Sequence, residues 1–154
     1  MKTLARLIAT CCYCGYAPAA PGTVGSLAAI ALAWPLWRFA GFGPWAFLVL
    51  GLAAIAPAIW AADSVSRETG SSDPSIVVVD EVVGQWIALA GAARFNWRSW
   101  AGAFVLFRLF DVLKPPPARQ FDHIPGGVGI VLDDVAAGVY AALVLFAAGW
   151  FNLY

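Results

Sequence analysis

An all-α fold, a compact multi-helix membrane bundle of about four to five hydrophobic segments, follows from three observations. The chain is 62% hydrophobic and only 12% charged, where a soluble domain is nearer half apolar and a quarter charged. Its apolar residues gather in long stretches parted by Gly/Pro breaks. Eight Trp and ten Phe suit a chain that meets bilayer interfaces, where aromatic rings collect. The whole of residues 1–154 reads as a single membrane-embedded domain.

Taken in order, residues 1–14 are short, basic and mixed, which predicts a helix at the membrane surface or packed on the domain. Lys2, Arg6 and the Ala17-Pro-Ala-Ala run imitate a signal peptide, but Thr10 and Gly15 interrupt the apolar part and no cleavage is expected. Residues 15–26 read as a loop rich in Gly, Pro and hydroxyls, leading into a helix from about Leu27. Free N–H groups at such a helix start suit a phosphate, although no Gly-Lys-Ser/Thr follows to make a P-loop. A plain turn with Ser26 as N-cap is the alternative.

Residues 27–39 form the first apolar segment, with Pro35 inside, and Gly41-Phe-Gly-Pro44 breaks it. Residues 45–62 are long enough to span, and 63–75 are polar, with a turn at Gly70-Ser-Ser-Asp-Pro74. The third segment covers 76–93. A polar hairpin at 94–98 leads to the fourth, 100–113, which Lys114-Pro-Pro-Pro117 stops. A long connection with Gly126-Gly127 reaches Asp133-Asp134, and 135–151 is the last helix. Several segments are short for a full crossing and read as half-buried or re-entrant.

The third segment poses the functional question, because Asp80 and Glu81 sit inside an apolar run. An ionised side chain at membrane depth costs roughly 2.5–3.5 kcal/mol on insertion scales, so it needs a cation, a partner or water. Capping a helix that begins at Val82 is the bland alternative. Two further acidic sites tip the balance. Arg108, Asp111 and Lys114 are spaced by three on one helix, and so share a face. If each segment crosses once, Ser26, Asp63, Asp80/Glu81, Asp111 and Asp133/Asp134 all reach one side. That side also carries Lys2, Arg6, Arg67, Lys114 and Arg119, against Arg38, Arg94 and Arg98 opposite, which makes it cytoplasmic by the positive-inside rule.

An oxygen-rich site without His or Cys suits a hard divalent cation such as Mg²⁺. Arg108 and Lys114 beside it suit a phosphate. The combination points to metal-assisted phosphoryl chemistry on a lipid headgroup. A small cation-binding membrane transporter and a non-enzymatic membrane assembly subunit are the alternatives. Zero net charge and scattered basic residues exclude nucleic acid as a partner. Cys11, Cys12 and Cys14 lack a second ligand cluster and read as small apolar filling, not a zinc site. His123 stands in a loop without a partner legible in the sequence.

Three stretches together resemble the phosphatidylglycerophosphatase A family: Pro18-Ala-Ala-Pro-Gly-Thr-Val-Gly-Ser26, Val79-Asp-Glu-Val-Val-Gly84, and Phe107-Arg-Leu-Phe-Asp-Val-Leu-Lys-Pro-Pro-Pro117 running on to Gly127-Val-Gly-Ile-Val-Leu-Asp-Asp-Val-Ala-Ala-Gly138. The resemblance implies a small helical enzyme of the bacterial inner membrane, multi-pass, with its active site facing the cytoplasm. It implies Mg²⁺-dependent removal of the terminal phosphate of phosphatidylglycerophosphate, a phospholipid substrate, to give phosphatidylglycerol. It places catalytic and metal-binding roles on Asp80, Glu81, Asp111, Asp133 and Asp134. Phosphate binding falls on Gly22, Thr23, Gly25, Ser26, Arg108 and Lys114. One departure is visible: relatives often have glycines where this chain has Cys11-Cys-Tyr-Cys14.

Overall fold

The computed structural model describes residues 2–154, and among these every regular element is helical. Seven α-helices follow in order: α1 (Lys2–Ala9), α2 (Pro21–Ala40), α3 (Pro44–Thr69), α4 (Val79–Leu89), α5 (Trp97–Leu113), α6 (Ala118–Asp122) and α7 (Gly127–Trp150), with a 3₁₀ turn at Cys14–Tyr16. Three of them, α2, α3 and α7, are long and apolar enough to cross a membrane. By contrast α4 has 11 residues, about 16 Å of helix against a hydrocarbon core of about 30 Å. The expectation of short segments therefore holds for α4.

Local chemistry explains most boundaries. Pro21 and Pro44 open α2 and α3 at the first turn, where a missing N–H costs nothing. Gly41 and Gly70, both at positive φ, close them. A capping box of Asn96 and Ser99 starts α5. Lys114 ends it in the left-handed region with its N–H donating to Phe110 O at 2.8 Å, and the prolines that follow cannot extend the helix.

Two boundaries differ from the sequence reading. The run taken as a loop as far as Ser26 is already helix from Pro21, because Gly25 and Ser26 are buried against α4 and tertiary packing outweighs their weak helix propensity. Likewise α7 begins at Gly127, so Asp133 and Asp134 lie in its second turn rather than ahead of it. Gly127 and Gly129 there face backbone of α3 and of the preceding loop, leaving no room for side chains. Their glycines look like breakers in sequence and act as contact points in space.

Helices α4 and α7 form the centre, with α3 on one side and α2 and α5 on the other. Small aliphatic side chains fill the core near α1, α3 and α7, where Ala9, Ala58, Ala61 and Ala62 are fully buried or nearly so beside Val65, Val83 and Val131, as expected where helices approach closely. The other half of the core is aromatic: Phe47, Phe95, Trp37 and Trp100 pack with centroids 5.0–6.4 Å apart. At that same end Phe39, Trp45, Trp97, Trp150 and Phe151 project outward and are exposed, as an interfacial aromatic belt would be.

Helix α1 packs on α3 through Ala5 and Ala9, and Arg6 pairs with Glu68 at 2.6 Å. After it Cys11, Cys12 and Tyr13 all have positive φ, at 46°, 53° and 72°. A Cβ in that conformation costs roughly 1–2 kcal/mol. Tyr13→Gly is expected to stabilise the fold by about 1 kcal/mol, read as a raised thermal midpoint in detergent. An unchanged or lowered midpoint would show that the Tyr13 ring contributes more than its backbone costs. All three cysteines are free. Burial, then the neighbouring Cys14 and Cys12, push the Cys11 thiol up to about 11, which leaves it inert as a nucleophile.

Candidate active site

The alternation of helix directions brings four helix ends to one side of the bundle: the start of α2, the start of α4, the end of α5 and the first turns of α7. They enclose a cavity of about 570 Å³. Its wall includes Asp80 and Glu81 from α4, Arg108 and Asp111 from α5, Lys114 just after it, and Asp133 and Asp134 from α7. Gly22 and Thr23 of α2 complete that side. All five acids given catalytic or metal-binding roles, and both cationic side chains, thus line one cavity.

Their mutual contacts form two linked sets. Arg108 reaches Glu81 Oε2 at 2.5 Å and Asp111 Oδ2 at 2.8 Å. Lys114 Nζ reaches Asp133 Oδ2 at 2.7 Å and Asp122 Oδ1 at 2.5 Å. Burial alone would lower the Lys114 pKa, but the hydrogen bonds and charges of Asp122 and Asp133 outweigh it and hold the ammonium well above its ordinary value. Lys114 is therefore a fixed positive charge across the physiological range.

Two carboxylate oxygens are left out of both sets. Asp80 Oδ1 and Asp134 Oδ2 are buried and make no hydrogen bond, and Asp134 is only 3% exposed. A buried, unpartnered carboxylate oxygen costs free energy unless something positive arrives. Among the described residues no three His, Cys, Asp or Glu side chains already stand as a closed metal cage. What the geometry offers is two uncompensated buried oxygens on residues that line the cavity, in a wall of seven carboxylates and two cationic side chains. That donor set fits a hard divalent cation that keeps part of its water.

Two residues expected to bind phosphate stand elsewhere. Ser26 is fully buried, and its hydroxyl bonds Glu81 Oε2 at 2.8 Å and Gly22 O at 3.0 Å. Gly25 lies against Val78 and the Glu81 stem. Both are placed to support Glu81 rather than to line the cavity. Gly22 does line it, and a side chain there would collide with Glu81 Oε1 and approach Arg108. Ser26→Ala is expected to cost about 1–2 kcal/mol, the scale of a hydrogen bond to a charged group. Activity should drop roughly tenfold through a loosened Glu81, checked by thermal melting alongside phosphate release. Equal kinetics in the two proteins would remove Ser26 from the functional account.

Sequence reasoning passed over Asp122 and Asp73, which also line the cavity. Asp122 adjoins His123, and both lie at the cavity mouth, so the loop was noticed without the residue that matters for Lys114. Asp73 sat in a motif that carried only a turn signal. Asp63, expected on the same side, is near but outside, pairing with Arg67 and standing 3.5 Å from the Gly127 N–H.

Comparison with known proteins accords with this geometry. The family model of phosphatidylglycerophosphatase A matches residues 7–149. Phosphatidylglycerophosphatase A of Escherichia coli is 37% identical over 117 residues, 75% of this chain and 68% of its own. The protein of that name from Haemophilus influenzae is 43% identical over 89 residues, 57% of this chain and 55% of its own. A Bacteroides thetaiotaomicron protein, provisionally named a phosphatidylinositol-3-phosphatase, is 46% identical over 95 residues, 60% of this chain and 58% of its own. The matched stretch thus spans little more than half of two of these relatives. No solved structure matches the chain. With nearly its whole length matched by the family model, the chain belongs to the phosphatidylglycerophosphatase A family.

Proposed function

We propose that the protein hydrolyses the terminal phosphate monoester of phosphatidylglycerophosphate, giving phosphatidylglycerol and inorganic phosphate, with Mg²⁺ as cofactor. The observation that carries this reading is the cavity lined by Asp80 and Asp134, each with an unpartnered buried oxygen, together with Arg108 and Lys114. An anion site and a cation site side by side are what phosphoryl transfer to water requires. Asp80 and Asp134 would hold the cation, with Glu81, Asp111 and Asp133 as further ligands on the same wall. When bound, Mg²⁺ offsets charge developing on the phosphoryl oxygens and makes water a better nucleophile.

The chain's own groups do the rest. Arg108 and Lys114 grip the phosphoryl oxygens and align phosphorus for in-line attack by water. Asp133, uncovered as Lys114 turns to the phosphate, takes a proton from that water. A P–O bond forms to water as the bond to the glycerol oxygen breaks; the departing oxygen takes up a proton from bulk water, and Asp133 returns its own to solvent. We read the cavity as lying in the cytoplasmic headgroup layer of a bacterial inner membrane, with α2, α3 and α7 crossing; the excess of Lys and Arg at that end of the bundle supports this orientation.

A second substrate, phosphatidylinositol 3-phosphate, enters through the Bacteroides relative's name and is likewise a lipid phosphomonoester. The test is phosphate release by the purified chain from each lipid, with Mg²⁺ and with chelator. Release from phosphatidylglycerophosphate should dominate and fall by at least about a hundredfold on chelation. Release unaffected by chelator would overturn the metal reading. Faster release from the inositol lipid would reassign the substrate. Cation uptake into vesicles without phosphate release would favour a transporter.

A further inference from the structure

Neither basic side chain in the cavity is free. Arg108 is clasped by Glu81 and Asp111, and Lys114 by Asp122 and Asp133, at 2.5–2.8 Å. With side chains 21% and 29% exposed, these pairs are less screened than surface pairs. Both contacts to Arg108 fall on its Nη1 and Lys114 keeps one of its three N–H groups, so an incoming phosphate competes with four carboxylates for the charge of the two cations. A diester phosphate spreads one charge over two free oxygens, as a carboxylate does, so the exchange gains it little. A monoester dianion spreads two charges over three free oxygens. One can meet the guanidinium and one the ammonium, which leaves a third for a cation that Asp80 and Asp134 would hold.

Resting on the phosphatase reading above, we propose that Arg108 and Lys114, each latched by two carboxylates, are the specificity determinants that admit a dianionic phosphomonoester and refuse phosphodiesters. The need is plain in the substrate's chemistry. The proposed lipid carries a diester beside its monoester, and the surrounding bilayer presents diester phosphates in large excess. Asp111 and Asp122 act as positioning residues, holding the cations until a more highly charged anion arrives. Asp122, the more exposed partner of Lys114 at 38%, is the latch that can be loosened with least effect on folding.

The test uses ligands that cannot be hydrolysed: a long-chain alkyl phosphonate and its monomethyl ester. Each is titrated calorimetrically into the full chain in detergent with Mg²⁺, at mildly alkaline pH where the phosphonate carries two charges. The wild type should bind the phosphonate at least about tenfold more tightly than the ester. Asp122→Asn should narrow that ratio severalfold, chiefly by tightening the ester. Wild-type affinities within about threefold of each other, or a ratio unmoved by Asp122→Asn, would overturn the inference even with phosphate release intact. Discrimination that persists in a protein releasing no phosphate from any lipid would instead overturn the proposed reaction and leave the anion latch standing.

Discussion

Asp134→Asn is expected to lower phosphate release by about three orders of magnitude, the scale of losing a charged group that acts on the reacting centre, without lowering stability. The reasoning starts from burial. Asp134 is 3% exposed, with Oδ2 unpartnered, and such an oxygen costs about 1–3 kcal/mol in the empty protein. Asparagine keeps the shape and removes the charge, so the metal-free thermal midpoint should stay level or rise while turnover collapses. A group that weakens the fold and is needed for the reaction marks a site where stability is given up for function. Asp80→Asn should behave alike, because Asp80 Oδ1 is the other unpartnered oxygen. Turnover and melting curves in chelator check both. An Asp134→Asn protein that melts well below wild type would make the carboxylate a structural element and withdraw it from the cation site.

Gly138→Val should have the largest effect on folding. Helices α4 and α7 share the most extensive packing in the molecule, and their backbones come close where Gly138 meets Gly84. A side chain at Gly138 would strike the Gly84 carbonyl oxygen, and one at Gly84 would strike the Phe107 ring and Asp134 O. Backbone cannot step aside as a flexible side chain can, so the cost belongs at the upper end of overpacking, about 3 kcal/mol or more. Gly84 lies three residues beyond Glu81 and Gly138 four beyond Asp134, so the same crossing sets the distance between the acids. Loss of cooperative melting and of activity together is the expected result. Gly43→Ala is the control, since φ there is −89° and nothing lies within 4 Å. Wild-type melting of Gly138→Val would show that the two helices are not in backbone contact.

How far the site could be read from residues alone depended on which interaction carried the signal. Asp80, Glu81, Asp111, Asp133 and Asp134 announced themselves because charge in an apolar run is costly and therefore rare. Alternation of helix direction was enough to send them to one side, although α4 itself is too short for the crossing that the count assumed. Ser26 gave the opposite result. Its neighbours Gly22, Thr23 and Gly25 suggested a phosphate loop, yet its hydroxyl is spent on Glu81, 55 positions away. Asp122 was invisible for a similar reason, because nothing in Phe121-Asp-His marks a partner eight residues back at Lys114.

The amino-acid sequence by itself determined that the chain is helical, apolar and built around acids with two basic companions, because composition and local periodicity are properties of the covalent chain. Only the tertiary structure decided that α4 is too short to cross, that Gly25 and Ser26 belong to a helix, and that Arg108 and Lys114 are each held by two carboxylates. Ion pairs, backbone contacts and orphaned oxygens depend on distances between segments far apart in sequence. Packing sets those distances, and no local pattern reports them.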